Sequence, residues 1–551
     1  MQPSNSQLKP DARRPRGADN PGEQGIALII TALSTVFLAL FAGLATDASL
    51  LMVIRGRMSA AVDSAALGAG RELNLGSTAA EADAFATTAG QQFFLANFPQ
   101  NYLGTLPIDP ATDIVSTFTQ QTDPTSGKPN GVVNISIAAT VTAPVYFMRL
   151  ANFTSVPITT TGTASRRGLA MMLVLDISGS MNNYYSGSTA CATMVTAAAG
   201  FVQNFSPYDS IGMIAFENTA HLEYAPSTNW KSGNVLVNAI NALTCTGSTN
   251  TTAALNLAYT ELKSVNEPIA LNTVVLFTDG MPNGASASFP FRNQVDVRYG
   301  FSGGPTGCTS TNVLCTMPRC TTLTGSVEGE YSQGSGYHAT GNTNSLAKDF
   351  DTDPNPSGFP AGCPNSGSGL RQTFAGIPAL DRWGNSTSGF KDPWVFPVNW
   401  NCNPAGTCAN LGANFSPSYT GVATGSNTIQ SGPYVGLYRM DQPTTIGAVG
   451  MNTATAQANV IRSDTTFNPV IHSIFLCGNG SDPVDKYFLP IISNLQEIPG
   501  LPLYEPTGTA PIVNPYYNKN QQQGLFFAAS DKSQLAGLFA QIASSLLRLS
   551  Q

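Results

Sequence analysis

Residues 169–181 read LAMMLVLDISGSM: seven apolar residues run without interruption into Asp176, and Ser178 and Ser180 follow at every second position. A short, wholly apolar run of this kind predicts a central strand covered on both faces. Outward from it, CATMVTAAAGFVQNF (191–205) has helical apolar spacing, SPYDS is a turn, IGMIAF (211–216) is a strand and AHLEY (220–224) an edge strand. Thr251–Val265 is a second helix, and LNTVVLF (271–277) a second buried strand, ending at Thr278, Asp279 and Gly280. The alternation stops at Pro282 and resumes with a helix over 454–462, a strand VIHSIFL (470–476), a helix over 484–495 containing Pro490, and a short strand GLFFAA. A terminal helix follows, opened by Asp531, with Leu535, Leu538, Phe539, Ile542, Leu546 and Leu549 on one face. Alternating strands and helices predict an α/β fold with a doubly wound, mostly parallel sheet.

In such sheets ligands bind outside the carboxyl ends of the strands, near the switch of strand order. Asp176, Ser178 and Ser180 follow the first strand, Asp279 follows a later one, and Thr249 in GSTNTTAAL (247–255) precedes a helix. Two carboxylates and three hydroxyls at one rim make an all-oxygen donor set suited to Mg²⁺, with Mn²⁺ and Ca²⁺ as alternatives. Two protein carboxylates offset the charge of the ion, and an exchangeable position remains for a carboxylate from a partner protein.

Charged residues are 11% of the 551-residue chain, the net charge is -7, and no basic stripe occurs, which leaves nucleic-acid binding without an electrostatic footing. Six of the nine cysteines lie between 308 and 408 in Gly/Pro/Ser/Asn-rich text, the pattern of a disulfide-stabilised exported segment. Their pairing is open, and so is a bridge between Cys191 and Cys245, which flank the rim; Cys477 is the expected free thiol. With His221, His338 and His472 scattered singly, the histidines do not suggest zinc.

From Gln24 to Thr46 the chain carries no charge for 23 residues, about 34 Å of helix and enough to cross a bilayer. No small-residue cleavage pattern follows, so the segment reads as an uncleaved anchor. Lys9, Arg13, Arg14 and Arg16 before it favour a cytoplasmic N-terminus with the cysteine-bearing bulk outside. Beyond it, residues 49–75 predict a long amphipathic helix rich in alanine, 76–98 continue helically, and 101–131 read as loop. VVNISIAATVTAPVYF and SVPITTTGTAS predict strands. The expected organisation is a tail (1–23), an anchor helix (24–54), a helix-plus-strands module (55–168), the sheet domain in two parts (169–282 and 451–551) and a cysteine-containing insertion (283–450), too long for a structureless loop.

DISGS (176–180), GSTNTTAAL (247–255) and FTDG (277–280) resemble the three parts of the metal-ion-dependent adhesion site of the von Willebrand factor type A domain. The resemblance implies a Rossmann-like fold in which Asp176, Ser178, Ser180, Thr249 and Asp279 hold the ion directly or through water. Ser248 stands where the family often has glycine, and the long insertion departs from its compact pattern. The anchor with Asp47 after it, RMSAAVDSAALGAGREL (57–73), TVTAPVYFMRLANFTSVPITTTGTASR (140–166) and the C-terminal FFAASDKSQLAGLFAQIASSLLRLS are similar to TadE/TadG-like pilus-assembly proteins, in which a pseudopilin-like part carries a type A domain. That implies a non-enzymatic, single-pass protein of the bacterial inner membrane, its bulk periplasmic or extracellular, acting in assembly, anchoring or adhesion of a Tad/Flp-type pilus through metal-dependent protein binding.

The rival readings are an envelope hydrolase and a metal-dependent nucleotide hydrolase at the same rim. Neither Ser178 nor Ser180 sits in a G-x-S-x-G elbow or has an identifiable histidine base. GSTNTTAAL lacks the G-K-[ST] ending of a phosphate loop. A calcium loop at DFDTDPNP (349–356) fails because Pro354 takes the turn position that needs glycine.

Overall fold

The computed structural model describes residues 21–125, 127–182, 184–185, 187–280, 282–290, 326–332, 377–387, 401–402, 408–409, 443–476, 483–498, 512–514, 516–529 and 531–550. The chain divides into two compact units, one of Met1–Leu67, Gly90–Ser116 and Ser136–Thr163, the other of Gly68–Ala89, Thr117–Ile135 and Ala164–Gln551. Helix α1 runs unbroken over Pro21–Glu72 and α2 over Ala79–Asn97. Within α1, Gly25–Glu72 is long and apolar enough to cross a membrane, and its most apolar 18-residue stretch has a mean hydropathy of 2.4.

Three strands, β1 (Ile114–Thr122), β2 (Pro129–Pro144) and β3 (Ser155–Arg167), form a sheet in that order. In β2 buried and half-buried residues alternate from Val133 to Ala143, the period-two pattern expected of a sheet with one covered face. Strand β1 falls in the stretch expected to be loop. Its text, IVSTFTQQT, is β-branched but so polar that no apolar face shows, and its strand character comes from pairing with β2.

The second unit holds a six-stranded sheet built from β4 (Leu169–Asp176), β5 (Ser210–Phe216), β6 (Ala220–Ser227), β7 (Leu271–Thr278), β10 (Val470–Leu476) and β11 (Phe526–Ala529). Between β7 and β10 in the chain, β8 (Gly284–Pro290) and β9 (Ser326–Ser332) make a separate antiparallel pair. The order is β11-β10-β7-β4-β5-β6, parallel except for the edge pair β5/β6. This is the mixed, mostly parallel sheet, covered by helices on both faces, that the alternation of strands and helices implies. Every residue of β4 is buried because alternate side chains feed two cores. Leu169, Met171, Leu173 and Leu175 enter one, and Ala170, Met172 and Val174 the other. Truncating such a residue, as in Leu173→Ala, costs about 2–5 kcal/mol.

On the first face lie α3 (Ala190–Val202), α4 (Val235–Asn241) and α8 (Leu535–Ser550). Phe539 of α8 packs between Phe201 and Phe277, with ring centroids 5.1 and 6.0 Å away. On the other lie α5 (Thr251–Val265), α6 (Pro443–Arg462) and α7 (Pro483–Ile492). Helix α6 starts eleven residues before the expected Ala454, inside the stretch assigned to the insertion. Its first half, PTTIGAVGMNT, is threonine- and glycine-rich and shows no apolar period, although Pro443 is a good first-turn residue. Helix α7 keeps Pro490 inside it.

Candidate functional site

The chain leaves β4 for β5 on one side and later crosses to β7 on the other, so the strand order reverses at β4. Past the carboxyl end of β4 the first loop is held from both directions: Ile177 N donates to Phe216 O at 2.9 Å, and Thr246 N donates to Ile177 O at 2.6 Å. Gly179 N donates to Gly247 O at 2.9 Å, drawing the first and second loops together. Gly247 has φ +80°, and a Cβ there would collide with the Glu217 carboxylate, so this position demands glycine.

Four of the five expected residues form one hydrogen-bonded chain. Ser178 Oγ lies 3.0 Å from Ser180 Oγ, and Ser180 Oγ donates to Asp279 Oδ1 at 2.8 Å. Asp176 Oδ1 accepts from Ser178 N at 2.8 Å, while Oδ2 accepts from Thr278 Oγ1 at 2.5 Å. Asp176 is fully buried and Asp279 partly exposed. Thr249 is buried two residues beyond Gly247, and its backbone is held by Asn283 and Gly284 instead of by the other four. Its N donates to Asn283 Oδ1 at 2.6 Å and its O accepts from Asn283 N and Gly284 N at 2.9 and 3.0 Å.

Sequence reading missed the supporting residues. Asn250 caps α5, its side chain accepting from Ala253 N, and also donates to Asn218 O at 3.0 Å and Ser286 Oγ at 2.8 Å. Asn218 Oδ1 in turn accepts from Ser248 N at 2.9 Å. The asparagine after Thr249 was a readable cap signal; Asn218 and Asn283 carry no local one, because they act on the backbone of a distant loop. Cys191 and Cys245 form a disulfide that ties the first turn of α3 to the second loop, and Asn182 Nδ2 donates to Cys245 O. Cys308, Cys315, Cys320, Cys363 and Cys477, like the DFDTDPNP stretch, lie outside the described residues. Cys402 and Cys408 are register partners in a two-residue antiparallel ladder.

Burial pushes both the Asp176 and Asp279 carboxyls up, and for Asp279 the charge of Asp176 adds to the shift. Among the described residues no lysine or arginine forms an ion pair with either. No trio of His, Cys, Asp or Glu among them is arranged to hold a metal, so an ion here would rely on the hydroxyls of Ser178, Ser180 and Thr249 beside the two carboxylates. That donor set, all oxygen and with two charges, fits Mg²⁺ or Mn²⁺. His472, the third residue of β10, lies toward the strand's amino end; its Nδ1 accepts from Leu525 N at 3.0 Å. His221 contacts Glu217 at 3.3 Å.

Residues 171–281 match the von Willebrand factor type A domain. No curated protein matches the chain. Among solved structures, the chain is similar to the PilB minor pilin from Streptococcus sanguinis at 11% identity, covering 82% of this chain and 81% of that one with a TM-score of 0.33. It is also similar to the vWF domain of the type V pili tip protein Mfa5 from Porphyromonas gingivalis at 15% identity, covering 70% and 98% with a TM-score of 0.32. The conserved hypothetical protein BatB from Bacteroides thetaiotaomicron is similar at 20% identity over 20% of this chain and 54% of its own, with a TM-score of 0.19.

Proposed function

We propose that the rim of the six-stranded sheet is a divalent-cation site that binds a partner protein through a carboxylate. The observation that carries this is the position of Ser180 Oγ, within 3.0 Å of Ser178 Oγ and 2.8 Å of Asp279 Oδ1, at the point where strand order reverses and beside the buried Asp176. Asp176, Ser178, Ser180, Thr249 and Asp279 would hold the ion, which when bound supplies a positive centre with an exchangeable coordination position. The chain's own part is to fix the hydroxyls: Gly247 brings the second loop against the first, Thr278 orients Asp176, and Asn283 holds the backbone of Thr249. The reading is non-enzymatic, since His472 and His221 are engaged elsewhere and, among the described residues, neither serine has a histidine beside it to take its proton.

We extend this to a membrane-anchored role in assembly, anchoring or adhesion of a Tad/Flp-type pilus, with α1 as the single inner-membrane span and the bulk outside the cytoplasm. This rests on the resemblance of 57–73 and 140–166 to pilus-assembly proteins. The test is isothermal titration of the full chain in detergent micelles with Mg²⁺, Mn²⁺ and Ca²⁺ separately. Saturable binding by wild type and none by Asp176→Ala, with unchanged far-ultraviolet circular dichroism, is the expected result. A folded wild-type chain that binds none of the three ions, or an Asp176→Ala chain that binds like wild type, overturns the reading.

A further inference from the structure

The text TVTAPVYFMRLANF (140–153) has one charged residue, Arg149, and no acid. Its second half, 146–153, is a tight turn: Leu150 N donates to Phe147 O at 3.1 Å, Asn152 N to Arg149 O at 3.0 Å and Phe153 N to Met148 O at 3.2 Å, with Asn152 at φ 69°. The turn is fastened to α1 at one carboxylate. Asp47 Oδ1 accepts from Tyr146 N at 3.0 Å, and Oδ2 from Phe147 N at 2.9 Å and Met148 N at 2.8 Å. One turn earlier in α1, Gly43 leaves the space that the Phe147 ring fills, and a Cβ there would collide with the ring.

These contacts fix the turn's depth. Asp47 is the first charge after the uncharged span 24–46, and Gly43 lies about 6 Å further into that span at the helical rise. If α1 crosses a bilayer, the turn sits where the helix leaves the hydrocarbon layer, with Phe147 below that level. Asp47 tolerates the position because three backbone N–H groups satisfy it. Yet the turn points large apolar groups outward: Leu150 is 75% exposed, Phe153 55%, and Tyr146 and Phe147 about as much, with Leu106 also exposed. In water this is an unfavourable surface. At a bilayer interface it has the composition of an aromatic belt, with one cation suited to headgroup phosphate.

We propose that the 146–153 turn is a second membrane contact, its aromatic and leucine side chains seated in the interfacial layer of the bilayer and Arg149 among the phosphates. The turn then fixes the angle and rotation of α1 at the membrane surface, which a lone helix leaves free. The proposal rests on the reading of α1 as a membrane span, and the test separates the two.

The full chain carrying Leu150→Trp is reconstituted into phosphatidylcholine/phosphatidylglycerol vesicles, with or without lipids brominated near the headgroup end of the acyl chains. Leu150 is exposed, so the substitution leaves the fold intact. The indole it introduces should emit to the blue and be quenched by the bromines, while the wild-type protein is little changed. An added indole that brominated lipid does not touch, in a chain that resists alkaline carbonate extraction, overturns the membrane contact and leaves the span standing. A chain released by carbonate overturns both. A photo-crosslinker at position 150 that captures a second copy instead of lipid overturns the proposal in favour of self-association.

Discussion

Replacing Asp209 with alanine should be among the most damaging single changes in the second unit. The residue precedes β5 at the amino end of the sheet, opposite the candidate site. Its carboxylate accepts from Arg166 Nη1 and Nη2 at 2.9 Å each, from Leu169 N at 3.0 Å and from Ser206 N at 2.9 Å. Both side chains of the ion pair are buried, 3% exposed for Arg166 and 0% for Asp209. Truncation strands the guanidinium without a counter-ion, a loss of about 3–5 kcal/mol. It also orphans two backbone amides, worth about 1–3 kcal/mol each where water does not reach them. One effect works against this: the charge of Asp209 contributes to the raised pKa of Glu267, and its removal returns about 1 kcal/mol or less. The expected net loss is about 5 kcal/mol, comparable with the whole stability of many domains.

A double-mutant cycle separates a stranded charge from a simple packing defect. Arg166→Met removes the charge that Asp209→Ala would leave alone, so the double variant should be less destabilised than the sum of the singles by about 2–3 kcal/mol. Urea unfolding of the full chain in micelles, followed by circular dichroism and tryptophan emission, measures this. Trp230 is buried and its Nε1 donates at 2.9 Å to the backbone O of Asp209, a bond the substitution keeps, so it reports on the site itself. A loss under about 1 kcal/mol for Asp209→Ala, or strict additivity in the cycle, would refute the argument.

Burial holds His472 neutral and lowers its pKa from 6.5 to about 4, so the unfolded chain binds the proton more readily. The stability this group contributes is present above pH 6.5 and is lost as pH falls toward 4, by about 3 kcal/mol; His472→Gln should flatten that part of the urea-midpoint profile, and an unchanged profile would count against it. Glu267 behaves oppositely: burial first, then Asp209, raise its pKa from 4.5 to about 7. Its contribution is complete below pH 4.5 and lost as pH rises through 7, so Glu267→Gln should gain stability at pH 8 and little at pH 4, whereas an equal gain at both would show that the carboxyl's titration is not involved.

Much of the sheet was legible because its central strands are buried on both sides. In β4 that demand leaves only apolar residues, and in β7 only apolar ones from Val274 to Phe277, until the chain emerges at the rim, and the change at Asp176 and Asp279 marks the strand end in the text itself. Strand β1 and the first half of α6 gave no such signal. The strand residues of β1 are largely polar, and α6 opens with threonines and glycines whose helical state is set by packing on α5 and β8. The insertion's first strand, β8, was equally silent: GASASFP has small alternating residues, and its attachment depends on Ser286 meeting Asn250 from thirty-six positions away. Within the site, the residues that present oxygen were readable from spacing, and those that position them were not. A side chain that bonds a remote backbone leaves no pattern along the sequence.

The two ends of the sheet solve the burial of carboxylates differently, and the contrast bears on what the rim is for. At the amino end Asp209 has an arginine in bidentate contact, and Lys231, whose pKa burial lowers, donates to Asn74 O and Phe205 O at 2.8 Å beside it. That end is closed by charges from within the chain. At the carboxyl end, among the described residues, Asp176 and Asp279 are held by hydroxyls and backbone amides, which orient a carboxylate but do not cancel its charge. Their mutual repulsion is a local cost of folding, since nothing in the net charge of -7 obliges two acids to meet there. The second loop is nonetheless fixed against the first, through Gly179 N donating to Gly247 O, a disulfide at Cys245 and an asparagine network around Thr249. An arginine at this rim would have removed the repulsion and filled the space. On the function proposed above, a divalent ion from solution would remove it equally well and would leave one coordination position for a partner's carboxylate.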